Sequence, residues 1–268
     1  MPSAAVHSTL IASELDLVLC RSALYEVLAL GFRPPTPALL SRLFTSEAAV
    51  VLEQAAAVLD AAWQTDLSHY VRRLRPSPGE ETLPWLEASF RRLFGHVARG
   101  PVPPYETEYG DDSLFLPIQE MSDLGGFLRA FGLMLSPAAH ERVDHISSEC
   151  EFLLFLARKE AYALERGEVD LQQEVRRATR LFLRDHLGRW APAFGARLVR
   201  EDAAGFYGTL GGLCHTLVSA DCARLGVSAG PATLRLRAPL QDDAPMACGT
   251  GDELLQIAIP PTPESAHE

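Results

Sequence analysis

Apolar positions recur with a helical period along most of this chain. From 8 to 30 they fall at Ile11, Leu15, Val18, Leu19, Leu24, Tyr25 and Leu28, close to the i, i+3, i+4, i+7 spacing of one helix face. Gly31 and Arg33-Pro34-Pro35 stop that pattern, since proline cannot continue a helix. Ser46 is a suitable N-cap for a second helix over 47–63, with Val51, Leu52, Ala55, Leu59 and Ala62 on one side. A third, over 67–74, ends at the turn Pro76-Ser77-Pro78-Gly79. A fourth runs from Pro84 to near Gly95, with proline just inside its start and glycine past its end.

After a proline-rich connector, Gly100-Pro-Val-Pro-Pro-Tyr105-Glu106, the pattern predicts helices over 117–135, 144–166, 168–187, 189–200 and 203–225. Strand-like alternation is confined to 233–237. The expected fold is all-α: one bundle of about nine helices over 1–226. A Pro/Gly-rich extension over 227–268 carries Pro231, Pro239, Pro245, Pro260, Pro261 and Pro263.

With 47% hydrophobic residues in 268, the chain can bury a large core. No apolar run reaches the roughly 18 residues of a membrane span. The first thirteen residues lack the basic start of a signal peptide, and Glu14 and Asp16 follow. A cytoplasmic protein with no stable membrane insertion is expected. Cys20, Cys150, Cys214, Cys222 and Cys248 are scattered without a C-x-x-C pair, which argues for small buried hydrophobes over a disulfide framework or zinc site. A net charge of −11 disfavours nucleic acid and favours basic partners. Lys159, the sole lysine, follows Arg158 and not glycine, so no Walker A loop is present.

Catalytic candidates are weak. Gly226-Val227-Ser228-Ala229-Gly230 matches a nucleophile elbow, which needs a strand before the serine and a helix after it. Here a helical segment precedes and Pro231 follows. His140-Glu141-Arg142-Val143-Asp144-His145 approaches a zinc-binding H-E-x-x-H, but the second histidine falls at i+5, off the face that i and i+4 share. A turn leading into a helix fits better. Gly208-Thr-Leu-Gly211-Gly212 lies in an apolar helical run and reads as close helix packing. No catalytic residue, metal or cofactor is assigned.

In the helix expected from Asp144, that residue is the predicted N-cap. Ile146, Cys150, Leu153, Leu154, Ala157, Ala161 and Leu164 form one apolar stripe, with Phe152, Leu156 and Ala163 beside it. Such a helix belongs in the middle of a bundle. His145 and Glu149, one turn apart, are expected to pair at its rim.

Four segments together resemble the TorD/DmsD/NarJ family of redox-enzyme maturation chaperones, over about 18–225. They are Phe90-Arg-Arg-Leu93-Phe94-Gly95; Pro103-Pro104-Tyr105-Glu106-Thr107-Glu108-Tyr109-Gly110; Asp123-Leu-Gly-Gly126-Phe127-Leu-Arg-Ala-Phe131-Gly132-Leu133; and Asp144-His145-Ile146 leading to Glu149-Cys150-Glu151-Phe152. The resemblance implies an all-helical, non-catalytic protein. Its partner would be a molybdopterin-containing oxidoreductase subunit, bound through its twin-arginine signal peptide or its body until cofactor insertion is complete. NarJ-type members serve clients that stay at the inner face of the membrane. By the same resemblance Phe90, Leu93, Phe94, Pro104, Tyr105, Glu106, Tyr109, Asp144 and His145 bind the client or shape its groove. The Tyr105–Gly110 form is most similar to the branch serving ethylbenzene, dimethyl sulfide or selenate enzymes. Val143 stands where many relatives have proline, Cys150 where leucine is common, and the resemblance fades in the tail.

A signal peptide of this kind pairs two arginines with a short apolar helix-prone stretch, which calls for an apolar groove with carboxylates nearby. Glu106, Glu108, Asp111 and Asp112, with Tyr105 and Tyr109 as stacking partners, are the expected arginine site. Tyr105→Ala or Asp144→Ala is then expected to weaken binding without loss of helix. The alternatives are an assembly factor for a non-exported client and, from another class, a small hydrolase using Ser228 or a metal at His140. A monomer or a homodimer is compatible with such a bundle.

Overall fold

The computed structural model describes residues 12–74, 82–95, 99–110, 116–136 and 141–238. Among them are ten α-helices: α1 Glu14–Gly31, α2 Pro37–Leu43, α3 Ser46–Trp63, α4 Leu67–Arg73, α5 Thr82–Phe94, α6 Leu116–Ala130, α7 Ile146–Arg166, α8 Val169–Asp185, α9 Leu187–Glu201 and α10 Phe206–Arg224. A 3-10 turn, Glu106–Glu108, interrupts the connector. The expected turn at Pro76–Gly79, Asp111, Asp112, His140 and the tail from 239 lie outside the described residues.

The helices begin where local chemistry starts them. Ser13 accepts from the Asp16 N–H while the Asp16 carboxylate accepts from the Ser13 N–H, a reciprocal cap that starts α1. α2 is the helix that periodicity misses. Thr36 caps it and Pro37 opens it, so prolines read as breakers also mark a start. The cap of α3 is Thr45, one residue before the expected Ser46. α6 ends at Ala130, short of the expected 135, because Gly132 turns the chain at φ +69°.

α1 lies along α7, and α9 along α10, as the two most extensive helix pairs. The second pair is close because of glycine. A β-carbon at Gly195 would sit 2.3 Å from the Gly211 carbonyl oxygen; Gly212 does the same for α4, since a β-carbon there would sit 2.1 Å from the Tyr70 ring. The Gly208–Gly212 run is therefore a packing surface. Pro192, inside α9, has no N–H for the Gly188 carbonyl; the Gly230 N–H takes that acceptor at 2.8 Å. Gly230 has no room for a side chain, since a β-carbon there would be 1.9 Å from the Arg189 carbonyl oxygen. The Gly226–Gly230 segment thus follows helix α10 and closes it onto α9, with Ser228 exposed.

Residues 233–237 form no strand among the described residues. They make a single bridge, Leu236 to Tyr109, flanked by the bonds Gly110 N–H to Arg235 O and Arg237 N–H to Glu108 O, both 2.9 Å. On its other side the connector joins the entry to α7, through Glu106 N–H to Asp144 O and Ile146 N–H to Pro104 O, again 2.9 Å. The connector is held between two chain segments that no helical pattern would bring together.

Charge is buried inside the bundle. Arg21, on an otherwise apolar face of α1, donates to Glu160 of α7 at 2.5 Å and to Asp221 of α10 at 3.2 Å. Tyr25 donates to Asp221 at 3.0 Å.

Candidate functional site

The ends of α1 and α6, the start of α7, α2 and the segment 131–136 surround an open groove of about 840 Å³. Leu30, Leu39, Leu124, Leu128, Leu133, Phe152, Phe155 and Phe182 supply most of its apolar lining, and Met134, on the wall, is 81% exposed. Phe131, Phe152 and Phe182 pack edge to face, at 5.7 Å and 4.8 Å between ring centres. Phe127 stands behind them, 5.3 Å from Phe182. The rim is charged: Glu141 and Glu151 from the α7 side, Arg33 and Arg42 from the α1–α2 side, while the buried Glu149 lines the wall. Arg33 pairs with Glu151 across the opening.

Two of the four family-like segments build this groove. In the 123–133 segment, Leu124 and Leu128 line it and Gly132 turns Leu133 and Met134 onto its wall. The segment from Asp144 supplies Ser147, Glu149 and Phe152. The other two segments are core. Leu93 is fully buried and Phe94 nearly so, with the Phe94 ring 5.3 Å from Tyr207 and 4.7 Å from Phe90. Pro104 is buried, and Tyr109 is buried against Trp190 at 5.1 Å with its hydroxyl on the Pro103 carbonyl at 2.9 Å. Truncating Phe94 to alanine is expected to cost about 3–5 kcal/mol of stability, read by thermal unfolding. The affinity of the remaining folded protein for a client segment should be unchanged.

Of the four connector acids expected to meet arginine, the two described ones, Glu106 and Glu108, are already paired within the chain. Glu106 is fully buried and already engaged, accepting from Arg189 at 2.6 Å, with His186 Nδ1 at 3.1 Å. Glu108 pairs with Arg99 at 3.1 Å. Tyr105 is half-buried, and its hydroxyl donates to Glu141 at 3.2 Å. Its ring does stack on a guanidinium, but on the chain's own Arg142 at 4.4 Å. Burial and the Glu141 charge push the Tyr105 hydroxyl up to about 12.

Asp144 is not the cap of α7. Its buried carboxylate accepts from Arg142 at 2.7 and 2.9 Å and from the Thr107 hydroxyl at 2.7 Å, tying the connector to the helix entry. The cap is His145, whose Nδ1 accepts from the Ser147 N–H at 3.1 Å. The ring proton therefore belongs on Nε2, which faces Glu141 Oε2 at 3.7 Å. Nor do His145 and Glu149 pair at a rim: both are about 1% exposed, and Glu149 instead accepts from Trp190 Nε1.

Burial, with Arg33 and Arg142 nearby, pushes the His145 imidazole down to about 3. Between that value and the unfolded 6.5 the unfolded chain binds a proton that the folded chain refuses. The stability from neutral His145 is complete above 6.5 and is lost as pH falls toward 3, at up to about 1.4 kcal/mol per pH unit. His145→Gln should show a shallower fall in melting temperature between pH 6.5 and 4 than the parent; parallel curves would refute the assignment.

Sequence reasoning missed the groove residues Leu39, Leu128, Met134 and Phe155. The available signal was α6 itself, whose apolar residues continue through Phe131 and Leu133 past the helix end, where no helical partner is expected.

Among the described residues the fold is an all-helical bundle that opens on an apolar, charge-rimmed groove. The model of the nitrate reductase delta subunit family matches residues 53–196, just over half of the chain, and the chain belongs to that family, the TorD/NarJ group. It is 29% identical over 138 residues to the chaperone protein TorD of Vibrio cholerae, covering 51% of this chain and 60% of that protein. It is 37% identical over 109 residues to the selenate reductase assembly chaperone protein of Thauera selenatis, covering 41% and 54%. To the perchlorate reductase assembly chaperone protein of Dechloromonas aromatica it is 35% identical over 98 residues, covering 37% and 43%. The chain thus spans about half the length of the curated relatives it matches. Among the described residues no helix is long and apolar enough to cross a membrane.

Proposed function

We propose that this chain is a chaperone dedicated to one molybdopterin-containing oxidoreductase, acting by binding and not by catalysis. In the groove beside α7 it holds an apolar segment of the catalytic subunit, either the twin-arginine signal peptide or part of the body. It does so in the cytoplasm until cofactor insertion is complete. The observation that carries this reading is the groove itself, about 840 Å³, lined by leucine and phenylalanine from two of the four family-like segments. A helix laying its apolar face into such a trough is a general mode of peptide recognition. Phe90, Leu93, Phe94, Pro104 and Tyr109 support the bundle that shapes the groove. Tyr105, Glu106, Asp144 and His145 fix the entry to α7 on its wall. The 37% identity to a selenate reductase assembly chaperone supports a client of that enzyme branch.

The test is to tag the protein in its native host and identify by mass spectrometry what co-purifies. A molybdopterin oxidoreductase subunit with its leader uncleaved supports the full reading. The same subunit without a leader supports an assembly factor for a non-exported client. Recovery of no redox enzyme would sink both.

A further inference from the structure

Six acidic residues are buried among the described residues: Glu106, Glu120, Asp144, Glu149, Glu160 and Asp221. Five have an arginine. Glu106 and Glu120 meet Arg189, and Glu120 also meets Arg237; Asp144 meets Arg142; Glu160 and Asp221 share Arg21. Glu149 is the exception. It is 1% exposed, sits in the first turn of α7 and lines the groove. Its one hydrogen-bond donor among the described residues is the Trp190 indole, which splits a single N–H between the two carboxyl oxygens at 3.2 and 3.3 Å. A buried carboxylate in that position lacks a counter-ion.

We propose that Glu149 selects what the groove accepts: the bound segment must place a cationic side chain against this carboxyl, and its arrival displaces a proton to solvent. The inference rests on the groove being the client site, and it places charge recognition on the groove wall, since Glu106 and Glu108 of the connector are already paired. The surroundings favour the protonated form of Glu149 while the groove is empty. Burial pushes its carboxyl well above the ordinary carboxylate range. Glu106 of the connector and Asp144 of the helix entry push the same way, while the Trp190 bond and Arg189 of α9 oppose them. On the same helix entry His145 stays neutral, its imidazole pushed down to about 3. Arg189 is shared by Glu106 and Glu120, and Arg33 at the rim is held by Glu151. A guanidinium or ammonium carried in on an apolar segment supplies the missing positive charge. The carboxyl then ionises and forms a charge-assisted hydrogen bond.

The experiment is calorimetric titration of the full chain with a synthetic peptide of two arginines followed by about a dozen leucine and alanine residues. Its arginine→glutamine counterpart is the control. Both are run in phosphate and in Tris, whose ionisation enthalpies differ, from about pH 6 to 8. Expected are net proton release with the cationic peptide and an affinity rising by up to about tenfold per pH unit. The cationic peptide should also be preferred by about tenfold or more. Glu149→Gln, which keeps the Trp190 bond, should abolish both the release and the preference. Binding without proton release, or a preference intact in Glu149→Gln, would overturn the role of Glu149 and leave the groove reading standing. If neither peptide binds the parent protein, the groove reading fails and this inference with it. The proton balance is measured on the parent chain, so the test does not depend on the variant folding.

Discussion

Arg21→Ala is expected to destabilise the protein by about 3–5 kcal/mol, the cost of breaking a buried ion cluster from one side. Arg21 is 1% exposed and joins three helices at once, through Glu160 of α7 and Asp221 of α10. Without it, Glu160 keeps Arg176 at 2.7 Å and Asp221 keeps Arg224 at 2.9 Å, but both of those arginines are partly in water. The two carboxylates would be left facing each other's field in a dry interior. For a chain of this size the loss corresponds to roughly 2–4 °C of melting temperature per kcal/mol, read by thermal unfolding at pH 7. Arg21→Met combined with Glu160→Met should recover part of it, because an apolar pair of similar volume costs no desolvation.

The same cluster predicts acid sensitivity. Burial raises the Asp221 carboxyl, but Arg21, Arg224 and the Tyr25 hydroxyl outweigh burial and hold it below the usual 3.8. A depressed carboxyl stabilises the fold above the unfolded value and loses that contribution as pH falls below 3.8. Arg21→Ala should flatten this acid limb. A melting temperature within a degree or two of the parent, with the acid limb unchanged, would show that the cluster does not hold α1, α7 and α10 together.

The second large effect is on binding. Met134 is 81% exposed on the groove wall, so an aspartate there removes no core contact. If the groove seats an apolar segment, covering Met134 contributes about 1.5–3 kcal/mol, and Met134→Asp should weaken client binding by about 10- to 100-fold. The melting temperature should be unchanged. Affinity for the client subunit or its leader, measured with the purified variant, decides it. Equal affinity would place the client on another face. Phe94→Ala should do the reverse, lowering stability and sparing affinity, so the pair separates core from contact surface.

Much of this molecule was already legible along the chain. The period of the apolar residues determined an all-helical fold, and caps and glycines placed nine of the ten described helices, with ends off by up to about six residues, because those signals act over one turn. The family was legible in four short segments for the same reason: each is a local pattern. What the pattern could not decide is which side of a residue faces whom. Tyr109 and Glu106 look like an open aromatic and acidic surface in sequence, yet they are buried because the segment 233–237 and α9 close over them. Asp144 looks like a cap, yet Thr107 and Arg142 claim its carboxylate, and the cap falls to a neutral imidazole one residue on. Arg21 looks like a lone charge on an apolar helix until residues 139 and 200 positions away supply its partners. Glu149 is the opposite case: only in three dimensions does it become a buried acid with no paired arginine among the described residues. Pairing across the core is a property of distance in space, and only the tertiary structure decides it.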